Sequence, residues 1–180
     1  AVNDAPSSAK GSEQSVLAYA GAQSVSGWAI NISPGPANES SQTVDFIVTN
    51  SNNGLFSVQP AVSPTGTLTY TLAANSNGVA TLSVRIHDNS GADTSAEQTI
   101  TVTVLDTEAP QFLCPAGITN AADAGQCSAT FTLPALAATD NCGVATVTSN
   151  APASFPVGMT TVTWTVVDTS GNTNTCTQAV

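Results

Sequence analysis

The chain has 180 residues, and its 12 Asp and Glu outweigh its 2 Lys and Arg, which gives a formal net charge of −10. Proteins that bind nucleic acids or anionic membrane surfaces need clustered Lys and Arg, so this charge balance excludes both kinds of partner. Apolar residues make up 41% of the chain and charged residues only 8%, which favours a folded chain over a disordered one. The abundance of Val, Ala, Thr and Ser is typical of pleated strands. We therefore expect an all-β protein.

No segment has the pattern of a membrane span or a targeting signal. The sequence contains no run of 18 apolar residues, so we expect no membrane insertion. Residues 1–6 lack the basic and apolar regions of a signal peptide. Residues 177–180 read as the middle of a strand, which predicts a piece of a longer protein or a processed product.

The composition changes near position 106. All four cysteines lie at position 114 or beyond, whereas Lys10 and Arg85, the two basic residues, lie well before it. A short acidic segment that ends in proline, residues 105–110, resembles residues 2–6 at the start of the chain. Both segments look like linkers that open a domain, so we predict one domain over 1–106 and another over 107–180.

Seven short runs of alternating apolar and polar residues follow one another across the first domain. The first run is weak, and the third is interrupted by an irregularity at Gly27. In chain order the runs are marked by Val16 and Leu17; Val25, Trp28, Ile30 and Ile32; Val44, Phe46 and Val48; Phe56 and Val58; Leu68, Tyr70 and Leu72; Ala80, Leu82, Val84 and Ile86; and Ile100, Val102 and Val104. Their count and spacing predict an immunoglobulin-like (Ig-like) sandwich.

The second domain repeats this pattern in a shorter stretch, and it holds Cys114, Cys127, Cys142 and Cys176. So small a sandwich has a marginal core, which two disulfides would stabilise by roughly 3–4 kcal/mol each. Four cysteines allow three pairings. Strand parity favours Cys114–Cys142 with Cys127–Cys176; the alternative is Cys114–Cys176 with Cys127–Cys142.

Two resemblances rest on motifs in these domains. The second domain resembles the hyalin repeat (HYR) family in the motifs Cys114-Pro115, Gly125-Gln126-Cys127, Asp140-Asn141-Cys142-Gly143, Phe155-Pro156-Val157-Gly158 and Ser170-Gly171-Asn172. The first is similar to bacterial cadherin-like or Ig-like surface repeats in the motifs Val2-Asn3-Asp4-Ala5-Pro6, Gly27-Trp28-Ala29 and Pro34-Gly35-Pro36-Ala37-Asn38-Glu39. Such repeats occur in long secreted or surface-attached bacterial proteins. The resemblance implies adhesion or spacing and no catalysis.

Calcium is the one cofactor that the residues favour, because it binds several oxygen ligands including carboxylates. A site at the junction of the two domains would use Asp106 and Glu108 from the linker, with Asp88 or Asp140 reaching it from a loop. The alternative is that these are solvated turn residues. Cadherin-like repeats often carry an acidic cluster in the first strand, but residues 16–21 contain no carboxylate, which argues against a full cadherin-type cluster.

Catalytic and sugar-binding residues are few. His87 is the only histidine, so a Ser–His–acid triad must use it, and its pattern favours a partly exposed strand histidine. Exposed aromatic side chains stack on sugar rings, and Trp28 and Tyr19 are the candidates. Tyr70 and Trp164 share the phase of core residues and are predicted to be buried.

The sequence as a whole predicts two tandem Ig-like β-sandwich domains from an extracellular bacterial surface protein or filament. The expected role is that of a rod-like spacer or cell-adhesion module, with neighbouring Ig-like repeats of the same or identical chains as partners. Open strand edges would allow self-assembly by strand pairing. The alternative is a carbohydrate-binding accessory module of a secreted hydrolase, with surface glycans as partners.

Overall fold

A computed structural model describes residues 3–89 and 94–180 of the chain. The predicted turn over 88–91 therefore lies partly outside the described residues. The chain divides into two compact units, Ala1–Asp106 and Thr107–Val180. Both are built almost entirely from strands, so the chain is an all-β protein of two tandem Ig-like sandwiches. Among the described residues, no helix is long and apolar enough to cross a bilayer.

Nine strands are described in the first unit. They are β1 (Ser7–Ala9), β2 (Gln14–Leu17), β3 (Ala22–Val25), β4 (Ile30–Ser33), β5 (Val44–Asn50), β6 (Phe56–Val62), β7 (Leu68–Leu72), β8 (Gly78–Asp88) and β9 (Gln98–Leu105). One sheet has the order β2-β9-β8-β5, with β2 parallel to β9, and a second has the order β3-β7-β6. Strands β1 and β4 form a separate pair, and short 3-10 helices lie at Ala37–Glu39 and Asn53–Leu55.

Most core residues of the first unit were predicted from the alternation, but Ala18, Ala29, Leu55 and Val62 are also buried and were not predicted. Leu68, Ala80, Leu82 and Val102 are fully buried, and full burial of a large aliphatic side chain stabilises a fold by roughly 1.5–3 kcal/mol. Tyr70 packs edge-on against Phe56, with ring centroids 5.7 Å apart. The alternation therefore predicted β7, β8 and β9 correctly.

Two predicted runs differ from the structure. The run from Val25 to Ile32 is not one strand, because the chain turns after β3 and Gly27 adopts a positive φ of 63° before β4 begins. Val58 was expected to face the core but is 58% exposed. The register of β6 against β7 shifts on both sides of Val58, and such a bulge turns the following side chain to the other face.

Seven strands are described in the second unit. They are β10 (Gln111–Phe112), β11 (Ser128–Ala129), β12 (Ala138–Thr139), β13 (Val144–Ser149), β14 (Phe155–Pro156), β15 (Thr161–Asp168) and β16 (Thr173–Ala179). Strands β13, β15 and β16 form the main sheet, while β10 pairs with β12 and β11 with β14. The core gathers Phe155, Val162 and Trp164, and Phe131 stacks on Phe155 with ring centroids 4.7 Å apart.

A short polar chain crosses the core of the second unit. The indole N–H of Trp164 donates to Gln178 Oε1 over 3.0 Å, and Gln178 Nε2 donates to the backbone carbonyl of Ala116 over 2.7 Å. Trp164 and Gln178 are both buried. These bonds join β15, β16 and the segment after β10, and they satisfy polar groups that would otherwise be costly to bury.

One disulfide joins Cys114 to Cys176, with the Cα atoms 6.0 Å apart. The favoured pairings, Cys114–Cys142 and Cys127–Cys176, are therefore wrong, and the structure agrees with the first half of the alternative. The parity argument failed because Cys127 lies exposed in the turn before β11, not inside a strand.

The second half of the alternative, Cys127–Cys142, is not formed in the structure. The carbonyl of Cys127 accepts a hydrogen bond from the N–H of Val157, just before β15. The carbonyl of Cys142 accepts one from the hydroxyl of Thr169, just after β15. The eight residues of β15 span about 26 Å, so the two cysteines lie towards opposite ends of that strand.

Candidate functional site

A polar cluster lies where the first residues of unit 1 meet the end of β8. The side-chain amide of Asn3 donates to Asp88 Oδ2 over 3.2 Å, and Gln42 Nε2 donates to Asn3 Oδ1 over 3.2 Å. The backbone N–H of Asp4 donates to Glu39 Oε1 over 3.1 Å. We call these five residues the N-terminal polar cluster. Asp88 was singled out from the sequence as a calcium ligand, and the structure places it here.

Two carboxylates of this cluster are buried. Asp88 is 1% exposed and Glu39 is 3% exposed. Within residues 3–89 and 94–180, Glu39 Oε2 and Gln42 Oε1 find no hydrogen-bond partner. Sequence reasoning missed Glu39, because the alternation of apolar residues identifies buried strand positions and gives no signal for a carboxylate in a turn.

The local sequence explains how Glu39 becomes buried. Pro36, with φ fixed at −66°, precedes the 3-10 helix Ala37–Glu39, which folds the side chain of Glu39 back over Gly35. A Cβ atom on Gly35 would overlap with Glu39 Oε2, so only glycine leaves room for the carboxylate at this position.

A second acidic pair lies within unit 2. Asp140 Oδ1 accepts hydrogen bonds from the backbone N–H groups of Cys142 (2.8 Å) and Gly143 (3.0 Å). Asp168 Oδ1 accepts from the N–H groups of Ser170 and Asn172, each over 2.8 Å. One carboxylate oxygen of Asp140 lies within 4.8 Å of one carboxylate oxygen of Asp168. Asp168 is buried and orders the turn that follows β15.

The environment of Asp168 shifts its titration. Burial acts to raise the pKa of its carboxyl group. Hydrogen bonds from the side chain and backbone of Asn172, and from the backbone of Ser170 and Gly171, act in the opposite direction. Together they outweigh burial and hold the pKa of Asp168 below its ordinary value. The carboxylate form is therefore the one that orders this turn.

The remaining predicted calcium ligands belong to different units. Asp106 is half-buried and ends the first unit, whereas Glu108 is exposed and belongs to the second. The structure places Asp88 in the N-terminal polar cluster and Asp140 beside Asp168. A calcium site that draws on both units stays a prediction.

The basic side chains of unit 1 are engaged with acidic ones. Arg85 Nη2 lies 2.8 Å from Glu97 Oε2, and hydrogen bonds from Ser83 and Arg85 lower the pKa of Glu97. Lys10 Nζ lies 3.8 Å from Glu13 Oε1. Arg85 and Lys10 are the only Lys and Arg residues in the chain. Both therefore pair with carboxylates at the surface.

His87 is a strand residue that lies beside an acidic one. It faces Asp45 across the β5–β8 pair, and its Nδ1 contacts Asp45 Oδ1. Its side chain is 34% exposed. The prediction of a partly exposed strand histidine is confirmed.

The structure agrees with the predicted burial or exposure of three of the four aromatic side chains considered and differs at Trp28. Trp28 is only 3% exposed, and its indole N–H donates to the carbonyl of Ser12 over 3.1 Å. The prediction that Trp28 stacks on a sugar ring is therefore wrong: the turn before β4 folds the indole inward. Tyr19 is 60% exposed, while Tyr70 and Trp164 are buried as predicted.

Two Ig-like sandwiches in tandem define the class of this protein. The chain belongs to the bacterial Ig domain family, whose pattern matches residues 3–104, and an HYR domain follows at residues 105–180. This is the order predicted from the sequence motifs. No curated protein matches the chain significantly.

Solved structures with similar folds include two cadherin ectodomains. The human desmocollin-1 ectodomain is 16% identical, with a TM-score of 0.43, and the similarity covers 100% of this chain and 37% of that one. The extracellular domain of protocadherin gammaB4 is 15% identical, with a TM-score of 0.45, and the similarity covers 99% and 35%. The chain spans less than half the length of either protein.

A third structure is SGBP-B from the mixed-linkage glucan utilization locus of Bacteroides ovatus, in complex with a mixed-linkage heptasaccharide. It is 10% identical, with a TM-score of 0.34, and the similarity covers 99% of this chain and 48% of that one.

Proposed function

We propose that the chain is a structural and adhesive repeat segment of an extracellular bacterial surface protein or filament. In that protein it acts as a rod-like spacer or as a cell-adhesion module, and its partners are neighbouring Ig-like repeats of the same or identical chains. The observation that carries the proposal is the tandem order itself, a bacterial Ig domain followed directly by an HYR domain.

The surface of the main sheet in unit 2 suits a role outside the cell. Threonines of β15 and β16 face each other in register, with Thr163 opposite Thr177 and Thr165 opposite Thr175. Such pairs contribute hydrogen bonding and packing without charge, so their contribution depends little on salt or pH. The Cys114–Cys176 disulfide supports the same location, since disulfides persist in oxidising compartments.

The carbohydrate-binding alternative loses part of its support. It rested on Trp28 and Tyr19 as stacking platforms, and Trp28 is buried. Tyr19 alone offers one exposed ring, whereas a sugar-binding face needs several groups around the ligand. We therefore retain the structural and adhesive role.

The proposal is tested on intact cells of the organism that expresses the chain. An antibody raised against the chain is expected to label cells without permeabilisation. On denaturing gels it is expected to detect a species far above 18.0 kDa that persists after reduction. Labelling that appears only after permeabilisation would contradict the proposal.

A further inference from the structure

We infer that the edge strand β13 of unit 2 pairs with β13 of a second copy of the chain, so that two copies share one continuous sheet. The inference rests on the proposed function, because it takes an identical chain as the partner. It does not depend on where the chain is located, so its test is separate from the labelling of cells.

The first step concerns the free edge of β13. The strand ends the sheet β13-β15-β16, so within the described residues no strand pairs with its far side. The backbone N–H of Asn150 donates to the carbonyl of Thr163 in β15. Backbone groups along an antiparallel strand point alternately towards and away from the neighbouring strand, so those of Val147 and Ser149 point away from β15. Such a row of backbone groups is a template for another strand.

The second step concerns protection of the edge. Native proteins guard edge strands with charges, prolines, bulges or a covering segment. Among the long edge strands of the described residues, β5 carries the charged Asp45, β6 is bulged and contains Pro60, and β16 is hydrogen-bonded to residues 110–118. Strand β13 contains no charge and no proline, its irregularity is confined to residues 144–146, and residues 145–149 are exposed. This edge is therefore open to pairing.

The third step concerns the inner face of β13. Val147 lies opposite the buried Val166, and Ser149 lies opposite the buried Trp164, so both face the core side of the sheet. Val147 is nevertheless 37% exposed. Ser149 lies at a groove of about 450 Å³ that is also lined by Trp164 and Phe131. An exposed valine and a largely apolar groove therefore lie two residues apart on the same face.

This spacing makes the edge complementary to itself. An antiparallel pair with its two-fold axis at Thr148 places Val147 of each copy opposite Ser149 of the other. Their outward backbone groups then exchange four hydrogen bonds, and each Val147 lies beside the groove of the other copy. On the outer face, Thr148 pairs with Thr165, and Thr148 of the second copy extends that row. Although each chain has a net charge of −10, no like charges meet at this edge.

Sedimentation velocity of the full chain over a range of concentrations tests the inference. We expect the wild-type chain to shift from 18.0 kDa towards twice that mass as its concentration rises. Val147→Lys places a charge on the inner face of the edge, and we expect it to weaken dimerisation by about tenfold or more. Val79→Lys, at an exposed valine of β8 in unit 1, is the matched control and is expected to dimerise as the wild type does.

Cross-linking tests the register of the pair. In a chain that carries Cys127→Ser and Cys142→Ser, we expect Thr148→Cys to form a disulfide-linked dimer on a non-reducing gel, because Thr148 faces its own copy across the axis. Thr146→Cys, on the same face of the strand, is the control. It lies opposite Asn150 of the second copy and is expected to stay monomeric.

A backbone variant decides the remaining outcomes. Ser149→Pro removes an outward N–H but no hydrogen bond to β15, so weaker dimerisation is expected from it even if Val147→Lys does not fold. The inference is overturned if the wild-type chain stays monomeric throughout the series, if Val147→Lys or Ser149→Pro dimerises as tightly as the wild type, or if Thr146→Cys cross-links as readily as Thr148→Cys. A monomeric chain that labels intact cells would overturn the inference and leave the proposed function standing.

Discussion

Gly66 occupies a position in unit 1 where any other residue would strain the backbone and clash with its neighbours. Its φ is +83°, and a Cβ atom there would overlap with the carbonyl oxygen of Ala29. Its own carbonyl accepts the N–H of Ala29 over 2.9 Å, which holds the turn before β4 against the loop before β7. A side chain at position 66 would therefore push these two backbone segments apart.

We expect Gly66→Ala to lower the free energy of unfolding of unit 1 by roughly 2–4 kcal/mol. Part of the loss arises because alanine is strained in the left-handed conformation, and part because its Cβ atom overpacks against Ala29. Urea denaturation measures the loss. Gly54→Ala is the control, since Gly54 has no positive φ and an added Cβ would meet only Asn52 Oδ1 at 3.7 Å. Equal stability of the two variants would show that the Ala29 contact is unimportant.

Asp168 makes the stability of unit 2 sensitive to acid. Because hydrogen bonds hold its folded-state pKa below the unfolded value of about 3.9, its contribution is present above that value and is lost as the pH falls through the folded pKa. We expect Asp168→Asn to melt at a lower temperature than wild type at neutral pH, with the difference shrinking below pH 4. Calorimetry across pH 2–7 measures it, and a difference independent of pH would refute this role.

At the scale of elements, the Cys114–Cys176 disulfide ties the segment after β10 to β16. The bridged residues are 62 positions apart, and closing so long a loop stabilises the folded state by about 4 kcal/mol in the chain-entropy model. We expect the double change Cys114→Ser and Cys176→Ser to remove about that much from the unfolding free energy of unit 2 in urea. Cys127→Ser is the control, because Cys127 is exposed and outside the disulfide.

Non-reducing peptide mapping checks the pairing independently. The expected product is one peptide pair that contains Cys114 and Cys176. A pair that joins Cys114 to Cys142 would restore the pairing favoured by strand parity and would contradict the structure.

The long strands are the elements that sequence alone predicts best. In β8 and β9 the apolar residues alternate without interruption, and every predicted residue from Ala80 to Ile86 is buried. Val58 is exposed, contrary to the prediction, because β6 bulges where it pairs with β7. Strand pairing is a long-range property, so the alternation of residues along β6 alone does not predict the bulges. The burial of Trp28 is likewise a long-range property, since its indole packs against Gly11 and donates to the carbonyl of Ser12.

The candidate site was less predictable than the fold. Asp88 was identified as a possible ligand, but its neighbours Asn3, Gln42 and Glu39 come from three separate stretches of the chain. No local pattern brings those stretches together. The disulfide pairing failed for a related reason, since strand parity has no meaning for a cysteine in a turn.

The molecule as a whole consists of two units that each bury their own core. Unit 1 gathers its core from the sheets formed by β2-β9-β8-β5 and β3-β7-β6, and unit 2 gathers its core around Phe155, Val162 and Trp164. Separate cores predict that each unit unfolds on its own. A spacer or adhesion module built in this way yields to tension one unit at a time.

Stretching single molecules of the full chain shows whether the two units unfold separately. We expect two separate unfolding events. The unfolding of unit 1 is expected to lengthen the molecule by roughly 30–35 nm, from the length that each residue spans in an extended chain. The disulfide holds the loop between Cys114 and Cys176 closed, so reductant is expected to lengthen the event of unit 2 by about 20 nm. A single event for the whole chain, or increments that reductant leaves unchanged, would contradict the account.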